Sequence, residues 1–161
     1  PYRSAGGDYP VSHLKVMGDV GQIVPVRWDI RDEESIYNAL KHSNVVVNLV
    51  GQRYETRNFT FDDVHVEGAR RIARIAREAD VERFIHVSLA AATPNDPSKW
   101  ASSKARGEQA VREVFPAATI IRPTGMFLFH SSSVIQLFEL TFILFQSYLE
   151  LKTTSLTILA H

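Results

Sequence analysis

Residues 45–50 of this chain read Val-Val-Val-Asn-Leu-Val and are followed by Gly51. The run is almost continuously apolar, so it lacks the alternation of apolar and polar residues that marks a strand with one face in water. A strand that is buried on both faces needs a covering layer on each side, and parallel sheets flanked by helices provide both layers. The run therefore predicts an interior strand of a parallel sheet and favours the α/β class.

The segments around this run alternate between strand and helix patterns. Strands are predicted at 22–29, 45–50, 83–88 and 118–122, and helices are predicted after Asp32, Thr60 and Ser98. Because crossovers between parallel strands are almost always right-handed, this order predicts a doubly wound parallel sheet of the Rossmann type. A chain of 161 residues, 45% of them hydrophobic, is long enough for one such unit.

Composition excludes several classes of function. The 18 basic residues balance the 18 acidic ones, so the net charge points neither to nucleic acid nor to an anionic membrane surface. Without cysteine the chain forms no disulfide and no thiolate metal site, and its six histidines lack the spacings of a metal-binding helix. Charged residues interrupt the apolar stretches near the C-terminus before they reach the roughly 20 residues of a membrane span. We expect no metal, no nucleic acid partner and no transmembrane segment.

A tryptophan stands at position 100, four residues before Lys104. A tyrosine at this spacing would lie one helical turn from the lysine, whose ammonium could lower the phenol pKa so that the phenol passes a proton to a carbonyl. The indole N–H of Trp100 donates a hydrogen bond but does not titrate in water. Trp100 and Lys104 together therefore predict a protein with the architecture of a nucleotide-binding enzyme that lacks the tyrosine proton donor.

Ligands of doubly wound sheets bind at the carboxyl ends of the strands, so the residues that end the predicted strands are candidate site residues. Asp29 could accept from an adenine amino group and Ile30 could cover the ring, although Asp29 is equally well explained as a turn residue. Leu49, Val50 and Gly51 end the buried strand, where glycine allows a ligand to approach the backbone. A simple strand-ending turn would leave the same pattern.

Three polar side chains complete the candidate site. Ser88 ends a predicted strand and could bind a substrate or a ribose, and Lys104 could bind ribose hydroxyls from the following helix. Lysines on helices are usually solvated, but the spacing from Trp100 and the position after a strand that ends in serine favour a binding role. Arg3 would follow a strand upstream of Pro1, where it could meet the 2′-phosphate of NADP, or it is an ordinary surface arginine.

The helix after Thr60 presents Arg70, Arg74 and Arg77 on one face, away from its apolar stripe. These arginines could bind phosphate, but the pattern favours a solvated charged face.

One part of the expected fold, the glycine-rich turn, has no counterpart in the sequence. A dinucleotide fold needs a glycine-rich turn that holds the pyrophosphate, and the chain has neither G-x-G-x-x-G nor G-x-x-G-x-x-G. The segment Gly18-Asp19-Val20-Gly21 precedes a predicted strand rather than following one, so we expect the turn upstream of Pro1. We predict a partial NAD(P)-binding domain at 1–127 and a divergent tail at 128–161, in which residues 134–148 form an amphipathic helix.

Six segments carry a family resemblance: Pro1-Tyr2-Arg3, HLKVMGDVGQIV at 13–24, NVVVNLVGQRYETRNF at 44–59, RFIHVS at 83–88, SKARGEQAVRE at 103–113 and ATIIRP at 118–123. With them the chain resembles the atypical short-chain dehydrogenases/reductases, and among these the nucleotide-binding accessory subunits of mitochondrial respiratory complex I. The segment 44–59 is the most specific, because its Glu-Thr-Arg-Asn-Phe continuation has no general rationale in a nucleotide-binding fold. The resemblance covers residues 1–127.

The resemblance implies an accessory subunit that holds NADPH without turnover, on the matrix side of the mitochondrial inner membrane and among the other subunits of complex I. It implies that Arg3 contacts the 2′-phosphate and that Asp29 and Ile30 contact the adenine. The wall beside the ribose and nicotinamide would be formed by residues 49–51.

The resemblance further implies that Lys104 binds the ribose and that Pro123 lies beside the nicotinamide. His65 stands where the wider family often has an asparagine. The chain departs from the family in lacking the glycine-rich turn and in its sequence from Leu128 onward. Without the upstream strand the sheet would lack its central strand, and its neighbours would become exposed edges.

Two other functions are compatible with the same residues. One is an active atypical NADP-dependent reductase or epimerase in which Ser88 and a bound water replace the tyrosine. The other is a truncated product that binds no nucleotide.

Overall fold

The structure is a computed structural model that describes residues 24–123 and 156–159. Four strands and three α-helices are built from these residues. The strands are β1 (Val45–Asn48), β2 (Arg83–Val87), β3 (Thr119–Ile121) and β4 (Leu156–Leu159). The helices are α1 (Glu33–Leu40), α2 (Ala69–Glu78) and α3 (Lys99–Val114), and a π-helical segment, Asp63–Gly68, leads directly into α2.

The strands form one parallel sheet in the order β3-β2-β1-β4. Val46 of β1 lies beside Phe84 of β2 on one side and Thr157 of β4 on the other. Val45, Val46 and Asn48 of β1 are buried, and so are Phe84 and Ile85 of β2, as expected for an interior strand and its neighbour. The predicted parallel α/β fold of the Rossmann type is confirmed.

Each helix begins at the residue type that its sequence predicts. The Asp32 carboxylate accepts the Glu34 N–H at 3.2 Å before α1, and the Ser98 hydroxyl accepts the Ala101 N–H at 3.5 Å before α3. Thr60 donates its N–H to the Asp63 carboxylate at 2.8 Å, while its hydroxyl accepts the Asp63 N–H. These side chains satisfy N–H groups that a helix start leaves without intrahelical partners.

The predicted strand at 22–29 is wrong over residues 24–29, where only Arg27 forms an isolated bridge. Pro25 has no N–H for a strand ladder. Asp29 then enters a turn, because its carbonyl accepts the Asp32 N–H at 3.1 Å and its carboxylate accepts the Arg31 N–H at 2.9 Å. The β-branched residues of this segment therefore do not continue as a regular strand.

Several predictions concern residues outside the described ranges. They include the Arg3 contact, the relation of residues 18–21 to a glycine-rich turn, and the helix at 134–148. The domain boundary after residue 127 likewise stays a prediction. The structure does show that residues 156–159, from the predicted tail, pair with β1.

The arginine face of α2 is occupied by protein groups. Arg70 pairs with Glu67 at 2.7 Å, Arg74 pairs with Glu33 at 2.6 Å, and Arg77 donates to the Val114 carbonyl at 3.0 Å. These half-exposed pairs link α2 to its neighbours and contribute little stability individually. They agree with a solvated charged face.

Residues 24–123 and 156–159 contain neither a candidate membrane span nor a candidate metal cluster. No helix among them is both long and apolar enough to cross a membrane. Their His, Asp and Glu side chains form no group of three or more that could hold a metal ion.

Candidate functional site

The backbone of Gln52, just beyond the carboxyl end of β1, is held by two side chains. Trp100 donates its indole N–H to the Gln52 carbonyl at 2.9 Å, and the Gln52 N–H lies 3.1 Å from His65 Nε2. His65 Nδ1 contacts Ser103 Oγ at 2.8 Å, and that hydroxyl reaches the Trp100 carbonyl at 2.8 Å. Gln52, His65, Ser103 and Trp100 thus close a hydrogen-bonded loop, which we call the Gln52 network.

The Gln52 network fixes the tautomer of His65. Because the Gln52 N–H can only donate, His65 Nε2 accepts and the proton of the neutral ring lies on Nδ1. The Ser103 hydroxyl accepts a hydrogen bond from His65 Nδ1–H and donates one to the Trp100 carbonyl. Burial, reinforced by the charge of Lys104, lowers the pKa of His65 to about 3. His65 is therefore neutral at pH 7 and connects the π-helical segment to both β1 and α3.

Lys104 extends from α3 to the backbone of Gly51 and is only 9% exposed. A Cβ placed on Gly51 would lie 2.9 Å from Lys104 Nζ, so the glycine leaves the space that the ammonium occupies. Burial lowers the pKa of Lys104 to about 8, which leaves the amine mostly protonated at pH 7. No described residue forms a hydrogen bond with Nζ.

Asn48 and His86 lie side by side on β1 and β2 and are both fully buried. The Asn48 Oδ1 accepts the Val50 N–H at 3.0 Å, so its amide nitrogen faces His86 Nδ1 at 3.2 Å and donates to it. The proton of the neutral His86 ring then lies on Nε2. Burial lowers the pKa of His86 to about 4.

Two polar atoms at the carboxyl end of β2 are buried without a hydrogen-bond partner among the described residues: His86 Nε2 and Ser88 Oγ. The Ser88 hydroxyl lies close enough to the Glu108 carboxylate to lower its pKa, yet it makes no hydrogen bond of normal geometry. Buried polar atoms in folded proteins are nearly always paired with protein, water or ligand. These two atoms are therefore candidate partners for a ligand.

Glu108, one helical turn after Lys104, holds the end of β3. Its carboxylate accepts from Arg122 Nε at 3.0 Å and from Arg122 Nη2 at 2.5 Å. Burial acts to raise the pKa of Glu108, but the hydrogen bonds and charge of Arg122, together with the nearby Ser88 hydroxyl and His86, outweigh it, and the pKa lies below its usual value. Glu108 thus stays charged beside Lys104 and ties α3 to the sheet.

The structure brings together some of the predicted site residues. Gly51 and Lys104 are in contact, and Ser88 ends the adjacent β2. The Ala90 N–H donates to the Pro123 carbonyl at 3.0 Å, which positions Pro123 next to the loop after β2. Val50 is buried and Leu49 half-buried at the end of β1.

Asp29 is a turn residue, and Ile30 is a core residue. The Asp29 carboxylate accepts the Arg31 N–H, which is the turn role that its sequence also allowed. Ile30 is 3% exposed, and its Cδ1 lies 2.4 Å from the position of a Cβ on Gly68. Gly68 therefore leaves room for Ile30 in the core. The adenine contacts of both residues stay predictions.

Sequence reasoning missed Gln52, Ser103, Asn48, His86 and Glu108. Two signals were available: Glu108 follows Lys104 by four residues, and Asn48 and His86 are polar residues within otherwise apolar strands. The role of Gln52 left no signal, because its backbone and not its side chain joins the Gln52 network.

A comparison with protein families matches residues 11–134 to the family described as NAD(P)H-binding. The chain belongs to this NAD(P)H-binding family. The UDP-glucuronic acid 4-epimerase of Bacillus cereus, solved in complex with NAD, has the same fold: the TM-score is 0.57 at 16% identity, over 71% of this chain and 42% of the enzyme.

Curated relatives agree with the resemblance seen in the sequence. The chain is 50% identical over 129 residues to the mitochondrial NADH-ubiquinone oxidoreductase 40 kDa subunit of Neurospora crassa, covering 80% of this chain and 34% of that protein. It is 53% identical over 127 residues to the mitochondrial NADH dehydrogenase [ubiquinone] 1 alpha subcomplex subunit 9 of Mus musculus, covering 79% of this chain and 33% of that protein. The chain thus spans about a third of the length of these relatives, and the similarity to complex I subunits is confirmed.

Proposed function

We propose that this chain is part of an accessory subunit of mitochondrial respiratory complex I that binds NADPH and does not turn it over. The subunit supports the assembly or stability of the complex from the matrix side of the inner membrane. The names of its relatives support the association with the other complex I subunits. Membership of the NAD(P)H-binding family supports the nucleotide.

The observation that carries the non-catalytic role is the engagement of Trp100. Its indole N–H donates to the Gln52 carbonyl, so it is committed to the backbone of the chain and carries no proton that titrates in water. Hydride transfer to a carbonyl needs a group that donates a proton to the developing alkoxide. At the position one turn before Lys104, the chain offers a structural hydrogen bond in place of that acid.

The groups around Lys104 fit the ribose of a nucleotide. Lys104 and Ser88 are both buried, and the Ser88 hydroxyl has no hydrogen-bond partner among the described residues. Ribose hydroxyls can accept from both. A bound NADPH carries a transferable hydride, and the residues named here would orient its ribose. Preference for NADP over NAD would depend on Arg3.

Nucleotide binding is tested on the native complex. The complex is purified with the subunit in place, its small molecules are released, and NADPH or NADP is identified by mass spectrometry. We expect one equivalent per subunit, and its loss when Lys104→Met is introduced. Lys99→Met, an exposed lysine at the start of the same helix, is the matched control and should retain the nucleotide. Complex without any released nucleotide would reject the proposal.

The lack of turnover is tested separately with NADPH and carbonyl substrates. The wild-type subunit should show no reduction at enzymic rates. Carbonyl reduction that survives Trp100→Tyr and is abolished by Ser88→Ala would instead establish an active reductase, the alternative that the unpaired Ser88 hydroxyl favours.

A further inference from the structure

The loop that follows β1, residues 52–59, is held in shape by hydrogen bonds across its base. The Gln52 side chain donates to the Phe59 carbonyl at 3.2 Å. Thr56 donates its N–H to the same carbonyl at 2.9 Å, and its hydroxyl accepts the Phe59 N–H at 3.1 Å. The guanidinium of Arg31 lies over the Phe59 ring, 4.1 Å from its centre. None of these contacts uses a side chain from the tip of the loop.

Three side chains at the tip, Arg53, Tyr54 and Arg57, are exposed. They form no hydrogen bond or ion pair with any residue of 24–123 or 156–159. Tyr54 is 72% exposed, more than any other large hydrophobic side chain that the structure describes. The loop therefore presents two guanidinium groups and an aromatic ring that its own fold does not use.

The acidic groups near the tip are already engaged. The Glu55 carboxylate accepts the Phe61 N–H at 3.2 Å. Asp62 pairs with Arg106, and Asp63 accepts hydrogen bonds at the start of its own helical segment. The chain as a whole has no net charge, so the two unpaired arginines of the tip form a local positive site in a balanced molecule.

The chemistry of the tip suits recognition of a protein. Guanidinium groups bind carboxylates through two parallel hydrogen bonds. Arginine and tyrosine are also enriched among the residues that carry most of the binding energy of protein interfaces. Because the loop is already held in shape, ordering it on binding costs little entropy. Two arginines are too few for an anionic membrane surface, which typically attracts clusters of roughly 4–8 basic residues.

We propose that Arg53, Tyr54 and Arg57 form a docking site for an acidic segment of a neighbouring protein subunit. Carboxylates of that segment pair with the two guanidinium groups, and one of its apolar side chains covers the Tyr54 ring. That the neighbour is a subunit of complex I rests on the proposed function, whereas the acidic character of the segment does not.

Photo-crosslinking in the assembled complex identifies the partner. Tyr54 is replaced by the photoreactive amino acid p-benzoylphenylalanine, and crosslinked peptides are identified by mass spectrometry. We expect one dominant crosslink, to a segment of another subunit that is rich in Asp and Glu. The same probe at Tyr37, an exposed tyrosine of α1, is the matched control and should not capture that segment. A Tyr54 crosslink to lipid, to nucleic acid or to a segment without acidic residues would overturn the proposal, and so would the lack of any crosslink.

Charge reversal then tests the two arginines. With the probe at Tyr54, Arg53→Glu combined with Arg57→Glu should reduce the crosslink about tenfold, because like charges then face each other. Arg83→Glu combined with Arg112→Glu makes the same change in net charge at exposed positions at the start of β2 and near the end of α3, and should leave the yield unchanged. Replacing the acidic residues of the captured segment with arginine should restore the crosslink in the first variant. Equal yields in the two variants, or no restoration, would refute the charge pairing.

The outcome is separable from that of the proposed function. Absence of the subunit from purified complex I would contradict both the proposed function and docking on a complex I subunit. Presence of the subunit in the complex without the acidic crosslink would contradict the docking site alone.

Discussion

At the scale of single residues, Trp100 has a structural task that its sequence position did not reveal. A tyrosine at this position would present a titratable proton, whereas the indole of Trp100 donates to the Gln52 carbonyl. The same backbone unit donates its N–H to His65, so the loop after β1 is fixed from both sides. Trp100 therefore has a structural role, because its indole N–H holds the loop after β1.

Replacing Trp100 with phenylalanine removes this hydrogen bond and keeps an aromatic ring. We expect a loss of about 1 kcal/mol beyond the packing cost. The Gln52 amide should exchange its hydrogen faster, as measured by NMR, because the loop is released. Trp28→Phe is the control, since the Trp28 indole N–H has no partner among the described residues. Equal exchange of the Gln52 amide in both variants would contradict the role of Trp100.

The buried histidines make stability depend on pH. In the folded chain the pKa is about 3 for His65 and about 4 for His86, both below the usual 6.5, mainly because burial disfavours the charged ring. Lys104 disfavours it further, while Glu108 acts in the opposite direction on His86. Between pH 6.5 and 4 the unfolded chain binds protons that the folded chain excludes, so stability falls as pH falls.

The free energy of unfolding should therefore drop by roughly 2 kcal/mol per pH unit across this window, as followed by urea denaturation. His65→Gln and His86→Gln should each reduce the slope in the same experiment. A wild-type slope that neither buried substitution alters would show that other groups control the acid sensitivity.

At the scale of secondary structure elements, the packing of α3 against the π-helical segment organises the site. The two segments approach closely at Gly107, which has no side chain to separate them. A Cβ on Gly107 would lie 2.1 Å from the His65 carbonyl oxygen, a backbone atom that cannot move independently. The same helix carries Trp100, Ser103, Lys104 and Glu108. The close approach at Gly107 thus sets the distance across which the Gln52 network forms.

Gly107→Ala should destabilise the chain by about 1–3 kcal/mol, despite the higher helix propensity of alanine, because the added methyl group meets backbone. Denaturant unfolding measures this loss. Gln109→Ala, at an exposed position of the same helix, should stay within about 0.5 kcal/mol of the wild type. A Gly107→Ala variant as stable as the wild type would mean that the two helical segments are farther apart.

At the scale of the whole molecule, residues distant in sequence complete the sheet. Without β4, the outer edge of β1 would be an unpaired edge within the described part of the chain, and such edges favour aggregation. Leu159 connects this edge to the core formed with α1 and α2.

Leu159→Ala should cost about 2–4 kcal/mol, because it removes fully buried methyl groups from that core. Ile158→Ala, at the adjacent half-buried position, should cost less than half as much in the same denaturation experiment. Similar small losses in both variants would show that β4 contributes little to the folded state.

Local patterns predicted much of the fold. Asp32, Thr60 and Ser98 act through hydrogen bonds to residues close in sequence, so their caps could be predicted. The predicted strand at 22–29 is wrong over residues 24–29, because branched side chains favour a strand only where a partner and a continuous N–H ladder exist. Leu156–Leu159 was not predicted as a strand for the complementary reason: its pairing partner lies more than a hundred residues earlier.

The sequence by itself determined the parallel α/β fold and the helix starts, because periodicity and capping are local properties of the chain, and its resemblance at segments such as 44–59 indicated the nucleotide-binding family. Only the tertiary structure decided that Lys104 fills the space above Gly51, that Trp100 binds the Gln52 carbonyl, and that β4 covers β1. These contacts join residues whose separation in space no local pattern specifies. They depend on how α3, the π-helical segment and the sheet pack, and packing is a property of the whole chain.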